Sequence, residues 1–369
     1  MQVCTRCVMD NQSDTTIKFL GDGTCNYCND TLNRLESEYF PNISGEKMLD
    51  KLMAKIKADG LGQQYDCMVG VSGGVDSSYV LYLGCKYGLR MLAVHIDDGL
   101  DTEIAVKNIK NLCEKTKTEI IMVKPDLEQY KDLIRSFFLA RVPNLAMAQD
   151  NILIAALNDT SKKYNLKYSL SGANFALECI LERSLGVNAL DKKHIIAIHK
   201  QFGRGSIEKL RMATFYEGYI YNRYFNKTDK ILPLNLIDYN LQNVLAELNG
   251  FAGYHYYGGK HYESILTRFL QCYYLPMKYG FDKRKSHFSS MIVSGQMTRE
   301  EAVERLSRDP YISEELKDFD FTYLADYLDM TRNEFDELIS LPPKQHQDYS
   351  ISAINNYAGL ARKFRKYLG

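Results

Sequence analysis

The string Ser72-Gly73-Gly74-Val75-Asp76-Ser77-Ser78 has the residue types of an anion-binding loop. Gly73 and Gly74 can take positive φ and turn backbone N–H groups toward an anion with no Cβ in the way. A helix starting near Asp76 would add unpaired N–H groups and the positive end of its dipole. Ser72, Ser77 and Ser78 offer hydroxyl donors. Asp76 is an acid beside a phosphate site, an unfavourable arrangement unless it holds a cation or caps the helix; bridging magnesium is the economical reason for it. The bland alternative is a capped helix after a Gly-Gly turn. The whole string, set between a strand and a helix, favours nucleotide binding. Neither Gly-x-x-x-x-Gly-Lys-Ser/Thr nor Gly-x-Gly-x-x-Gly occurs here.

A second constellation lies at the N-terminus. Cys4-x-x-Cys7 and Cys25-x-x-Cys28 have the paired spacing of a zinc site, with Gly21-Asp22-Gly23 as a turn between them. Two intervening residues let both thiolates of a pair face one ion, and a redox reading would need only one pair. Four thiolates close the coordination shell, so a bound zinc would be structural. Cys67, Cys85, Cys113, Cys179 and Cys272 lack pair spacing and read as small buried apolar residues. Cys179 is the one to check for reactivity, because it flanks a predicted strand-end loop.

Positioning the loop requires a sheet. Cys67–Val71, Met91–Ile96, Glu119–Val123, Lys167–Gly172 and Ile231–Leu236 read as strands. Helical spacing separates them over 77–87, 103–116 and 126–164. Strands alternating with helices predict an α/β fold with a five-stranded parallel sheet and right-handed crossovers. Residues 1–35 read as a zinc-binding module and 36–64 as a connector whose helix, Gly45–Ala58, is closed by Gly60 and Gly62. Residues 65–240 read as the nucleotide domain. Residues 241–369 carry helical periodicity at 262–275, 298–307, 321–329, 332–340 and 350–367, so a mainly helical C-terminal region is expected.

Composition narrows the function. Lys plus Arg and Asp plus Glu both number 46, a balance that argues against a protein whose main job is coating nucleic acid. No run of 18 apolar residues predicts a membrane span. An odd count of 9 cysteines without a secretory segment fits a reducing cytoplasm better than a disulfide framework.

Ser72–Ser77 resembles the Ser-Gly-Gly-x-Asp-Ser motif of the N-type ATP pyrophosphatases, a group with an adenine-nucleotide α-hydrolase-like fold that includes GMP, asparagine and NAD synthetases and tRNA thiolation enzymes. The resemblance implies adenylation of a carbonyl oxygen, followed by displacement of AMP by a nitrogen or sulfur nucleophile. Oxygen of an amide is a poor leaving group and AMP a good one. The loop would stabilise the departing pyrophosphate. On that fold Asp97, in His95-Ile96-Asp97-Asp98-Gly99, would lie near the adenine or ribose. Gly172, Asn174 and Glu178 would follow the fourth strand, and Leu232-Pro233-Leu234 would mark the fifth. Ordinary loop solvation is the alternative for Asp97, Asp98 and Glu178.

Three blocks together resemble the N-acetyl sugar amidotransferases of bacterial surface-polysaccharide synthesis. These are Cys4-Thr5-Arg6-Cys7-Val8-Met9-Asp10 with Cys25-Asn26-Tyr27-Cys28, the phosphate loop, and Phe269–Gln271 through Tyr279–Ser290 and Ser294–Ala302. Residues 125–230 match more loosely. That resemblance implies adenylation of the acetamido carbonyl of a nucleotide-activated N-acetyl sugar by ATP and Mg2+, and replacement of AMP by ammonia to give an acetamidino group for O-antigen or other surface glycan. It also implies ammonia from a separate glutaminase with a cyclase-like barrel partner. Free ammonia is equally compatible, and residue 2 is Gln2, so no N-terminal-nucleophile glutaminase is expected here. Within the third block, Lys283 and Arg284 are expected beside the chemistry and His287 beside the substrate, with Lys278 and Lys285 in the same cationic segment. Lys260, a substrate candidate after Gly258-Gly259, and Arg268 are weaker candidates of the same kind; a solvated basic turn is the plainer reading of 278–287. His255 and His261 have no spacing for a second metal. The competing readings are a tRNA thiolation enzyme with the same loop and a non-catalytic nucleotide-binding scaffold.

Overall fold

The computed structural model describes residues 1–183 and 186–354. Its centre is a five-stranded sheet, all parallel, in the order β3-β2-β1-β4-β5, formed by β1 (Cys67–Gly70), β2 (Met91–Ile96), β3 (Glu119–Val123), β4 (Tyr168–Leu170) and β5 (Asp229–Ile231). This is the expected α/β sheet. The chain runs β1, β2, β3 outward on one side and then returns to the other side of β1. The strand order therefore reverses between β1 and β4, the place where open parallel sheets bind ligands at their carboxyl ends.

The strands are apolar on both faces because helices cover both. Cys67, Val69, Met91 and Ala93 share a buried cluster with α3 (Val75–Lys86) and α4 (Glu103–Thr116). Met68 and Leu92 face the other way and meet Leu157 of α6 (Met147–Lys163). Thr102 caps α4 by accepting from the Ala105 N–H at 3.3 Å. The cluster under α3 and α4 continues into α9 (Leu241–Ala252) through Val244 and Leu248, and into Tyr254, Tyr257 and Tyr262 beyond it. A second cluster joins α5 (Leu127–Ala140) to α10 (Ile265–Phe269), α14 (Glu314–Tyr327) and α15 (Arg332–Ser340), through Phe138, Phe269, Phe321 and Phe335.

Several expected boundaries move. The fifth strand occupies Asp229–Ile231 rather than 231–236, because Pro233 lacks an N–H and opens a 3-10 turn over Pro233–Leu236. The fourth strand is also shorter than 167–172. The single helix over 126–164 is two helices, α5 and α6. Arg141 adopts left-handed φ of 56° at the end of α5, and Pro143 disfavours helix before it. Residues 1–35 contain a helix that the turn residues masked, α1 (Asn26–Glu38), and the connector helix α2 spans Ile43–Asp59, capped by Asn42. In the C-terminal region the helix over 262–275 is α10 followed by a π-helical turn, Leu270–Tyr274, and then α11 (Leu275–Tyr279). The basic segment after it forms α12 (Arg284–Val293), and α13 (Arg299–Leu306) follows. α14 starts earlier than 321 because Ser313 caps the Leu316 N–H. Most of the helix expected over 350–367 lies outside the described residues. No described helix is long and apolar enough to cross a membrane.

Candidate active site

The phosphate loop joins β1 to α3, as its sequence requires. Gly73 takes φ of 76°, and a Cβ there would lie 2.5 Å from the Ala105 carbonyl oxygen. A Cβ on Gly172, after β4, would lie 2.8 Å from the Ser77 nitrogen. Both glycines let backbones close up around the β1–β4 crevice. Ser77 Oγ accepts from the Ser72 N–H at 3.2 Å, and Ser72 Oγ accepts from the Gly74 N–H at 3.2 Å. Tyr257 OH accepts from the Val75 N–H at 3.0 Å, and Tyr254 OH donates to the Gly73 carbonyl at 2.9 Å. Among the described residues no acceptor meets the N–H groups of Gly73, Asp76 or Ser77. The mouth of α3 is therefore a cradle of unpaired N–H groups, a geometry suited to an anion.

Charged groups face this cradle. Lys260 Nζ lies 2.6 Å from Asp76 Oδ2 and 3.1 Å from Glu178 Oε1. His261 lies 3.5 Å from Glu178 and 3.6 Å from Glu263, and Ser72 Oγ donates to Glu263 at 3.3 Å. The Tyr239 hydroxyl donates to Asp76 Oδ1. Burial opposes charge on Lys260, Glu178 and His261, but their pairing outweighs it. It raises Lys260 through Asp76 and Glu178, lowers Glu178 through Lys260 and His261, and lifts His261 to about 9 through Glu178 and Glu263. His287 is buried, and desolvation followed by repulsion from Lys283, Lys260 and His261 drives its pKa well below the ordinary value, so its ring is neutral.

These groups open on a cavity of about 1310 Å³. Cavities of roughly 300–1,000 Å³ suit a single small ligand, so this one has room for two substrates. Its walls include Ser72, Gly74, Val75, Asp76 and Ser77, then Gly172, Glu178, Lys260, Arg284 and His287. It also takes in His95 and Asp101, which pair at 3.0 Å at the end of β2.

The other expected residues stand elsewhere. Asp97 pairs with Lys124 at 2.9 Å and is not part of the wall. Asn174 caps the short helix α7 (Phe175–Glu178), accepting from the Leu177 N–H at 2.9 Å. Ser78 is buried within α3. Lys283 pairs with the buried carboxylate of Glu182 outside the wall. Arg284 binds Asp282 and donates to the carbonyls of Arg305 and Arg308 at 3.2 and 2.9 Å. Lys285 pairs with Asp10, and Arg268 with Asp320. Burial pushes the Cys179 thiol up to about 11, so it is protonated at neutral pH. Tyr239, Tyr254, Tyr257, His261 and Glu263 are at the site without having been singled out for it. A polar-tipped tyrosine run beside Gly258-Gly259-Lys260-His261-x-Glu263 was the available signal.

The four N-terminal cysteines converge. Cys4 and Cys28 Sγ are 3.9 Å apart, Cys7 and Cys25 3.8 Å, and all four sulfurs lie within 4.8 Å of one another. A tetrahedral ion with metal–sulfur bonds of about 2.3 Å has sulfur–sulfur edges of about 3.8 Å, so the cluster fits zinc. N–H groups of Cys7, Met9, Cys25 and Cys28 point at the sulfurs. The module holds the walls of the cavity. Ile180 packs among the cysteines, Arg299 donates to the Cys7 carbonyl, and Thr31 and Arg34 donate to the Cys179 carbonyl.

Residues 263–362 match the family described as LPS biosynthesis protein WbpG-like, C-terminal domain. The WbpG-like region begins at Glu263, which reaches the phosphate loop, and includes Arg284 and His287 in the cavity wall. The chain is also similar to tRNA-specific 2-thiouridylase MnmA 2 from Fusobacterium nucleatum, 26% identical over 117 residues, which are 30% of this chain and 34% of that protein. The chain thus spans about a third of the length of this curated relative. Among solved structures it is similar to NMN synthetase from Francisella tularensis, at TM-score 0.34 and 14% identity, covering 81% of this chain and 97% of that one. It is also similar to an NH3-dependent NAD synthetase from Campylobacter jejuni, at TM-score 0.30 and 18% identity, covering 57% and 93%.

Proposed function

We propose that this chain is an ATP-dependent, AMP-forming amidotransferase that converts the acetamido group of a nucleotide-activated N-acetyl sugar to an acetamidino group, for lipopolysaccharide or another surface glycan. The observation that carries it is the open anion cradle at the start of α3, which shares one large cavity with walls from the WbpG-like region. The acetamido oxygen attacks the α-phosphorus of ATP, and pyrophosphate leaves into the cradle. Ammonia then attacks the imidate carbon and loses a proton, and AMP departs with the former amide oxygen.

The N–H groups of Gly73, Asp76 and Ser77 would meet pyrophosphate charge as it develops, with Lys260 and His261⁺ beside them. Magnesium fits the donor set, since Asp76 and Glu263 offer hard carboxylate oxygens and Glu263 Oε2 is buried with no partner. When bound there it would neutralise phosphate charge. Zinc in the four-cysteine cluster would be structural. A nucleotide sugar and ammonia are the substrates this reading needs. A glutaminase with a barrel partner would be one source of ammonia, in a cytoplasmic setting.

The test is AMP release from ATP, ammonia and a panel of UDP-N-acetyl sugars, with mass spectrometry of the sugar for replacement of one oxygen by NH. A panel that yields no AMP above the acceptor-free rate would sink the reading. The likeness to a tRNA thiouridylase keeps a second reading in play, tRNA thiolation. Sulfur transfer of that kind calls for a thiol at the site, and none of the nine cysteines lines the cavity. AMP formation that depends on unmodified tRNA alone would reverse this preference. A scaffold without catalysis would show ATP binding with no turnover of any acceptor.

A further inference from the structure

Beyond the phosphate loop the cavity extends along α6. Gln149 donates to Asp98, just past β2, at 2.7 Å, so α6 begins at the loop end of the sheet. Its wall-lining residues then run through Leu153, Leu157 and Asn158 to Ser161. From Gln149 to Ser161 the helix rises about 18 Å, which takes this arm well away from the loop. The floor is the α6-facing side of β1, β4 and β5. There Met68 is in register with Ser169, and Ser169 with Lys230. Lys230 is exposed and marks an opening to solvent.

At the end of the arm two amides meet. Asn222 Nδ2 donates to Asn158 Oδ1 at 2.7 Å, which leaves Asn158 Nδ2 and Asn222 Oδ1 buried without partners. Turning both amides round exchanges their roles but still leaves one donor and one acceptor open. Buried polar groups left unmet cost free energy, so such a pair asks for an occupant. Asn222 belongs to a π-helical stretch, Glu217–Asn226, a geometry that recurs at functional sites. An open donor beside an open acceptor complements a group carrying both, such as a sugar hydroxyl or the N–H and C=O of an acetamido group. Ser161, Ser169 and Thr228 add neutral polar groups, and Leu153 and Leu157 an apolar surface for ring C–H groups. Among the described residues no aromatic ring stands with them to stack a flat base.

We propose that this arm holds the sugar ring of the acceptor, with the Asn158–Asn222 pair reading a hydroxyl or acetamido substituent. The assignment rests on the reaction proposed above and adds where the ring lies. The test is calorimetry of a UDP-N-acetylhexosamine panel with α,β-methylene ATP present. The variants are Asn158→Leu with Asn222→Leu, and Ser169→Leu, which fills the arm without touching the amides. Sugar binding should weaken at least about tenfold in both, with binding of the ATP analogue within about twofold of wild type. Unchanged sugar binding with a raised melting temperature would make the arm a hydrated void and overturn the proposal. Weakened binding of the ATP analogue alone would give the arm to adenosine and overturn it too, as would a wild type that binds no member of the panel. Arm-dependent sugar binding without AMP formation would support the arm and sink the reaction.

Discussion

Lys260–His261 and Lys283–Arg284–Lys285 look alike as sequence, yet the fold gives them different partners. Lys260 lies between Asp76 and Glu178, and both carboxylates face the cavity. Its pairs can be exchanged for phosphate contacts without leaving a carboxylate buried away from ligand. Lys283 and Lys285 instead pair with Glu182 and Asp10, whose side chains are 6% and 1% exposed. Arg284 holds Asp282 and the carbonyls at the end of α13. Asp10 belongs to the cysteine module, so Lys285 fastens that module to α12. What decides each cation's use is the group it faces and where that group lies.

The largest effect that can break this comparison is on turnover. Lys260→Ala should lower kcat/KM for AMP formation by about 10²–10³-fold, because the proposed reaction develops phosphate charge beside this cation. Lys283→Met should leave turnover per folded molecule within about threefold, since its partner lies outside the cavity wall. Steady-state AMP assays beside melting curves measure both. A larger turnover loss in Lys283→Met than in Lys260→Ala would reverse the assignment.

Next in size is the four-cysteine cluster. Zinc stripping, or Cys7→Ser with Cys25→Ser, should lower the melting temperature by about 5 °C or more, because a four-thiolate site contributes folding energy directly. Turnover should fall with it, since Ile180 packs among the cysteines beside the segment bearing Glu178. Elemental analysis should find stoichiometric zinc in wild type and none in the double variant. Metal-free wild type with an unchanged melting curve would dismiss the zinc assignment.

The parts of the site legible in sequence are those made locally. A strand, two glycines and a helix start lie within a dozen residues, and each cysteine pair is fixed by its own turn. Glu263 and Lys260 were harder to read, because their contacts with Ser72 and Asp76 span separations of 191 and 184 residues. No local pattern encodes such a meeting; tertiary packing of Tyr254 and Tyr257 against the loop brings it about. The break between α5 and α6 was legible in Pro143, and the true end of β5 in Pro233. Arg284 shows the opposite case, a residue in the wall whose guanidinium also braces α13.

A smaller effect tests the second cluster as a fastening. Lys285→Met leaves Asp10 with its Gln12 and Ser13 bonds but no cation, which should cost about 2 kcal/mol in stability at neutral pH. Burial would raise the Asp10 pKa, yet Lys285 and Ser13 outweigh it and hold the carboxyl below the ordinary range. A depressed folded pKa contributes stability above the unfolded value that is lost as pH falls through the folded one. The gap between wild type and Lys285→Met should therefore narrow on acidification below about pH 4. Denaturant melts at neutral and acid pH compare the two, and a gap independent of pH would show that packing rather than charge holds the module.

The smallest effect concerns His261, the less buried member of the loop-facing pair. Desolvation works against its charge, but Glu178 and Glu263 lift its pKa to about 9. A raised folded pKa means that the charged ring contributes below the ordinary histidine value and is lost as pH rises through about 9. Loss of this cation beside the cradle should reduce acceptor-dependent ATP–pyrophosphate exchange by up to about tenfold above that pH. Exchange is the right readout, because it leaves out ammonia, whose unprotonated fraction grows over the same range and would hide the decline. His261→Gln keeps a hydrogen-bonding side chain without the charge, so its exchange should already be low at pH 7 and should lack the descending limb. A limb that persists in His261→Gln would assign the titration to another group and leave Lys260 as the sole cation acting at the loop.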